Sequence, residues 1–175
     1  MEIPKSVVEF LDKCTGEVGK CQGDMFNQDV WSFLHDRGIE SPIEQMLYAA
    51  LRTVQELNVI DDADPVESNG EPVVLGLSIE PQHEVGRYRV DFCLCYSTRT
   101  AQRRLIVECD SQAWHERSEK ERRYEKRRDR FLAAEGLKVF HYTGREIMEN
   151  PMRVAKEIIV HVTGIHPELV NTDAT

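Results

Sequence analysis

The stretch RLIVECDSQAWHERSEKERRYEKRRDRF, from Arg104 to Phe131, constrains the fold more than any other part of the chain. It opens as an apolar run of strand length, ends that run on Glu108 and Asp110, and places His115 close behind. It continues as a helix-length segment in which eight residues from Arg117 to Arg130 are Lys or Arg. A buried strand that carries two carboxylates to the foot of a basic helix needs other strands beside it and a partner for its charge.

Those other strands are legible. VVLGLSIEPQ from Val73 and RYRVDFCLCYS from Arg87 have strand composition, and a short polar turn joins the second to RRLIVECDS, most simply as a hairpin. After the charged helix, GLKVFHYT forms a fourth strand, followed by GREIMEN and PMRVAKEIIVHVTG as helices, the latter opened by Pro151. Upstream, SVVEFLDK and DVWSFLHDRG are short amphipathic helices, the second stopped by Gly38. In SPIEQMLYAALRTVQEL, Ser41 is the N-cap, Pro42 the first helical residue and Glu44 the third, which makes a capping box. Ile43, Leu47, Ala50, Val54 and Leu57 then mark one buried face. The segment from Asn58 to Pro72 has five carboxylates between Asp61 and Glu71 and reads as a solvated loop, without the ligand spacing of a calcium loop. The expected fold class is α/β, a mixed β-sheet flanked by helices, with an extra N-terminal helical segment over 1–40, a main domain over 41–165 and a tail over 166–175.

At 175 residues the chain has enough apolar material for one core. No apolar run approaches the roughly 20 residues needed to span a bilayer, and the start lacks a secretion signal, so no membrane partner and a cytoplasmic location are expected. Five cysteines, an odd number, point to reduced thiols. A net charge of −9 excludes a general nucleic-acid coat protein, which needs clustered cations. A local basic surface survives, built from Arg99, Arg103, Arg104 and the charged helix. The N-terminal helices are an expected surface for a second copy or a protein partner.

Alternation along the strands places the carboxylates. Tyr88, Val90, Phe92, Leu94 and Tyr96 should share one face and Asp91 the other, while Glu108 and Asp110 share a face with Ile106. In register, Asp91 and Glu108 converge. Neighbouring carboxylates repel by about 4 kcal/mol per pair at an effective dielectric near 20, so they need a cation or raised pKa values. An all-oxygen set suits Mg²⁺ or Mn²⁺ better than zinc. Cys93 and Cys95, alternate on a strand, read as small apolar fillers rather than as a zinc pair.

The blocks SPIEQMLYAALR, PQHEVGRYRVDFCL, LIVECDSQAWH and RRDRFLAAEGLKVFHYT, from Ser41 to Thr143, resemble in order those of the PD-(D/E)XK nuclease superfamily. They are most similar to its small branch related to very-short-patch repair endonucleases. The resemblance implies a restriction-endonuclease-like fold and metal-dependent hydrolysis of DNA, with RNA a weaker candidate. It assigns the metal to Asp91, Glu108 and the main-chain carbonyl of Cys109. It adds Asp110, His115, Gln82 and Glu44 to the catalytic set, although the capping box alone accounts for Glu44. The chain departs from the pattern in three places: Asp110 stands where the superfamily has Lys, Ser111 replaces the usual Gly, and His141 takes the place of a common Arg.

Without that Lys another cation is expected. Lys120, Tyr124, Arg127 and Phe131 share a narrow arc of the charged helix, so Lys120 is the expected substitute and Arg127 a phosphate contact. Arg104, Arg117 and Arg123 complete the expected nucleic-acid contacts, while acids and bases at three- and four-residue spacing on this helix, Glu119, Glu121, Arg123 and Glu125 among them, are expected to pair with each other on a solvated face. Two function classes follow: a metal-dependent nuclease, or an inactive nuclease-fold protein that binds nucleic acid or a protein partner.

Overall fold

The computed structural model describes residues 4–18, 23–57, 64–68, 71–110 and 118–165. Eleven elements run in the order α1 (Lys5–Val18), α2 (Gly23–Asp36), α3 (Pro42–Leu57), β1 (Asp64–Ser68), β2 (Glu71–Val85), β3 (Tyr88–Ser97), β4 (Gln102–Asp110), α4 (Glu119–Ala134), β5 (Lys138–Thr143), α5 (Gly144–Glu149) and α6 (Pro151–Thr163). The strands lie in sequence order across the sheet. β2, β3 and β4 form an antiparallel meander, and β5 then pairs parallel to β4 after the crossover through α4. This is the expected mixed α/β sheet flanked by helices.

The acidic stretch read as a loop differs from that expectation. Asp64 to Ser68 pairs antiparallel with Glu71 to Leu75, the overhang of β2 beyond its pairing with β3. Its carboxylates and Pro65 hide a strand whose pairing needs only backbone groups.

The two faces of the sheet are covered unequally. One side holds the large core, in which Leu77, Ile79, Phe92, Leu94, Leu105 and Val107 meet apolar residues of α1, α2, α3, α5 and α6. Val7, Leu11, Val30 and Leu34 belong to that same cluster, so the N-terminal helices, expected as an extension, complete the main core. Among the described residues the other side is covered by α4, where Leu132 and Phe131 pack against Val90, Cys93 and Ile106.

Local contacts fix the helices that border the carboxylates. The buried Gln55 donates to the Leu77 carbonyl at 3.1 Å, and Gln45 to that of Ile39 at 2.6 Å, which ties α3 to the sheet and to the preceding turn. Gly144 starts α5 where an added Cβ would lie 2.6 Å from the Ile43 side chain, so α5 and the first turn of α3 meet closely beside the end of β4. Gly86 turns β2 into β3 with φ +60°, and a Cβ there would lie 2.7 Å from the Phe131 ring. Gly86→Ala should therefore lower stability by about 1–3 kcal/mol, through backbone strain and a displaced α4. A reduced urea midpoint at unchanged slope is the expected reading.

Candidate active site

The β3–β4 ladder ends at Phe92↔Val107, so the next residues on each strand, Asp91 and Glu108, stand where the two strands part. Beyond this point Glu108, Cys109 and Asp110 pair only with β5. The Cys109 N–H donates to Asp91 Oδ2 at 2.7 Å, which fixes that carboxylate across the opening.

The expected alternation breaks at Asp91. Phe92 and Leu94 lie in the large core, but Val90 packs on the α4 side with Cys93 and Ile106, and the Tyr88 ring meets Tyr124 and Phe131 of α4. The adjoining strand is distorted at the same level. Gln82 has φ 54°, and the β2–β3 ladder pairs Pro81↔Phe92 and His83↔Val90 while omitting the Gln82–Asp91 pair between them. A left-handed conformation at a non-glycine residue costs about 1–3 kcal/mol and persists where the surroundings enforce it. Here Gln82 Nε2 donates to Glu44 Oε2 of α3, tying the distortion to the site.

Asp91 is thus approached from both sides, by Glu44 of α3 and by Arg128 of α4, each of which feels its charge. Glu44, Gln82, Arg89 and Asp91 line an open polar cleft of about 470 Å³. Glu108 lies on the α4 side, 3% exposed, with Oε2 3.1 Å from Arg128 Nη1. Its Oε1 is buried and has no hydrogen-bond partner among the described residues. Asp110 Oδ2 lies 3.3 Å from His141 Nδ1 on β5.

The electrostatics follow from this crowding. Burial, then the charge of Asp91, pushes Glu108 up to about 8 against the pull of Arg128. Burial, then Asp91, raises Glu44 to about 7, opposed by hydrogen bonds from Ser41 and Gln82. Asp91 is raised by burial and restrained by the Cys109 N–H and Arg128. Burial and the surrounding carboxylates also hold the Cys109 thiol protonated, so it is no nucleophile.

The fold therefore brings together Asp91, Glu108, Asp110, Cys109, Glu44 and Gln82 of the expected set. His115 and Arg117 lie outside the described residues. Lys120 is exposed in the first turn of α4, and the cation that meets Glu108 is Arg128, about two turns further along. Arg127 is exposed, and Arg123 binds Glu119 at 2.5 Å on the helix surface. Arg104 is four residues before Glu108 on β4, about 13 Å along the strand, in a shallow groove with Ser78, His83 and Gln102.

Sequence reasoning missed Arg128. The sheet-facing stripe of α4 is Tyr124, Arg128, Phe131 and Leu132, at i, i+4, i+7, i+8 spacing, with Tyr124 exposed at its edge. Leu132, fully buried, carries the signal that sets this phase.

The deciding comparison covers the segment that holds Asp91, Glu108 and Arg128. The family model REase_MTES_1575 matches residues 73–162, just over half of the chain. The chain belongs to this restriction-endonuclease-like family. The membership supports a nuclease of the PD-(D/E)XK superfamily, and it does not single out the very-short-patch branch. The match runs from β2 to α6 and leaves Glu44 and the N-terminal helices outside it. No curated protein and no solved structure matches the chain significantly.

Whether a divalent ion suits these residues is a question of donors. Among the described residues no group of three or more His, Cys, Asp or Glu side chains is disposed to hold a metal. Mg²⁺ does not require one, because it keeps several waters and takes one or two carboxylates plus substrate phosphate. Asp91 and Glu108, with a buried oxygen of Glu108 left unpartnered, fit that requirement.

Proposed function

We propose that this protein is a divalent-metal-dependent endonuclease that hydrolyses phosphodiester bonds of DNA. Asp91, Glu108 and the Cys109 carbonyl would hold Mg²⁺ or Mn²⁺. The observation that carries the reading is the buried, unpartnered Glu108 Oε1 beside Asp91 at the parting of β3 and β4. A carboxylate oxygen stripped of water and given no donor is costly unless a proton or a cation joins it.

When bound, such an ion supplies Lewis acidity to a phosphoryl oxygen and acidifies a water molecule. The remaining work belongs to the chain. Asp91 is oriented by the Cys109 N–H. Glu44, raised to about 7, exchanges its proton near neutral pH, which suits general acid–base work at the cleft it lines with Asp91. Asp110 and His141, paired at the end of β4, place an imidazole at the edge of the same carboxylates. The exposed Arg104 and Arg127 are available to the nucleic-acid backbone. The Glu-x-Asp order at Glu108 and Asp110, with no Lys, supports a relation to the very-short-patch branch within the superfamily.

One observation favours the inactive alternative, namely that Arg128 already neutralises part of the charge of Glu108. The two readings part on metal. Purified protein should nick supercoiled plasmid DNA in Mg²⁺ and stop when the ion is chelated. Millimolar Mn²⁺ should also raise the unfolding temperature by several degrees, since a ligand at 100 times its Kd adds about 2.7 kcal/mol. An Asp91→Asn, Glu108→Gln double variant should lose that shift. Absence of both nicking and shift in the wild type would overturn the reading.

A further inference from the structure

Arg128 is the one cation on α4 seen to reach Glu108 among the described residues, and apolar packing of the helix does not require it. A Leu or Met at that point of the buried stripe would pack against the sheet without desolvating a guanidinium. Instead a 15%-exposed arginine meets a 4%-exposed glutamate side chain at 3.1 Å. Its charge also restrains Asp91, so both proposed metal-binding carboxylates feel it.

The guanidinium is incompletely used. Its Nε is buried and has no hydrogen-bond partner among the described residues, with the Asp129 Oδ1 of an ion pair 3.8 Å away, beyond hydrogen-bond reach. An arginine presents five donors in a planar fork, so one edge can hold a carboxylate while another meets a second anion. Here Nη1 meets Glu108, and Nε faces the Asp129 carboxylate, which leaves the other N–H donors of the fork. Asp110 occupies the position from which a lysine would otherwise serve the site. The chain therefore lacks a cation on β4 and supplies one from the neighbouring helix.

We propose that Arg128 is the cationic catalytic residue of this site, holding Glu108 through Nη1 and meeting the reacting phosphate with the remaining donors of its guanidinium. This inference rests on the nuclease reading above and goes further by naming the group that offsets negative charge on the phosphate during hydrolysis. Preorganised donors aimed at developing charge are worth roughly 10²–10³ in rate each.

The test uses the full chain and two variants. Arg128→Gln keeps an N–H donor for Glu108 but removes the charge and the fork, and Arg128→Lys restores the charge alone. Single-turnover nicking of supercoiled plasmid in Mg²⁺ should fall by about 10²-fold or more in Arg128→Gln, with Arg128→Lys recovering part of the loss. Mn²⁺ affinity without DNA, and affinity for a short duplex in Ca²⁺, should each stay within about threefold of wild type, a split expected of a group that acts mainly in the transition state. Nicking at the wild-type rate in Arg128→Gln would overturn the proposal. So would a rate loss matched by an equal loss of Mn²⁺ affinity, because Arg128 would then only hold Glu108 in place. Either result leaves the nuclease reading standing, whereas a wild type that neither binds Mn²⁺ nor nicks plasmid would overturn both. Thermal unfolding of Arg128→Lys identifies a loss due to misfolding, since that variant keeps the buried ion pair.

Discussion

Replacing Asp91 with Ala, or Glu108 with Gln, should lower metal-dependent DNA cleavage by about 10³-fold or more, the loss expected when a Lewis acid worth several kcal/mol is removed. The two substitutions test different contacts. Asp91, which borders the open cleft, is held at Oδ2 by the Cys109 N–H, so alanine removes the oxygens and frees that donor. Glu108 is ion-paired to Arg128 in a nearly buried site, and alanine there would strand the guanidinium at a cost of about 3–5 kcal/mol. Glutamine keeps the shape and an acceptor for Arg128 while removing the charge a cation needs. Circular dichroism and urea unfolding should show both variants folded. Cleavage at the wild-type rate in either one would remove that residue from the metal site.

The convergence of Asp91 and Glu108 was legible because a short turn makes a hairpin, and a hairpin sets which residues face each other. The pair Phe92↔Val107 puts Asp91 and Glu108 one step beyond the last rung. The break in alternation at Asp91 was not legible. It stands level with the left-handed Gln82 backbone on the adjoining strand, whose side chain bonds Glu44 of α3, a contact distant in sequence. Strand β1 escaped because main-chain pairing tolerates Asp64, Glu67 and Pro65, which composition reads as loop. The inward side of α4 was misjudged for a different reason. Tyr124 and Phe131 are seven residues apart and leave the helix free to roll by about one residue in either direction. Choosing Lys120 and Arg127 as their neighbours sets one phase, and the buried Leu132 sets the other, in which Arg128 points to the sheet. Folded geometry decided between two sequence patterns that were equally regular.

Metal-free protein should lose stability as pH rises from 5 to 8.5. Glu108 is raised from 4.5 to about 8, and Glu44 from 4.5 to about 7, both first by burial and then by Asp91. A carboxyl raised in the folded state holds its proton more tightly there than in the unfolded chain. Its contribution is full below the unfolded value and is lost as pH climbs through the folded one. Glu108, 3% exposed, should account for most of the change, a few kcal/mol in all after allowance for relaxation of a buried pair. Urea unfolding at pH 5, 7 and 8.5 measures it. Glu108→Gln, which cannot ionise, should flatten the slope and exceed the wild type in stability at pH 8.5. Millimolar Mn²⁺ should flatten the wild-type slope as well, because the ion takes the place of the proton that Glu108 gives up. It should do nothing to the slope of the Asp91→Asn, Glu108→Gln variant. A metal-free wild type whose stability is level or rising over this range would show that Glu108 is charged and compensated without metal, by Arg128 alone, which is the state expected of a nuclease fold that does not cleave.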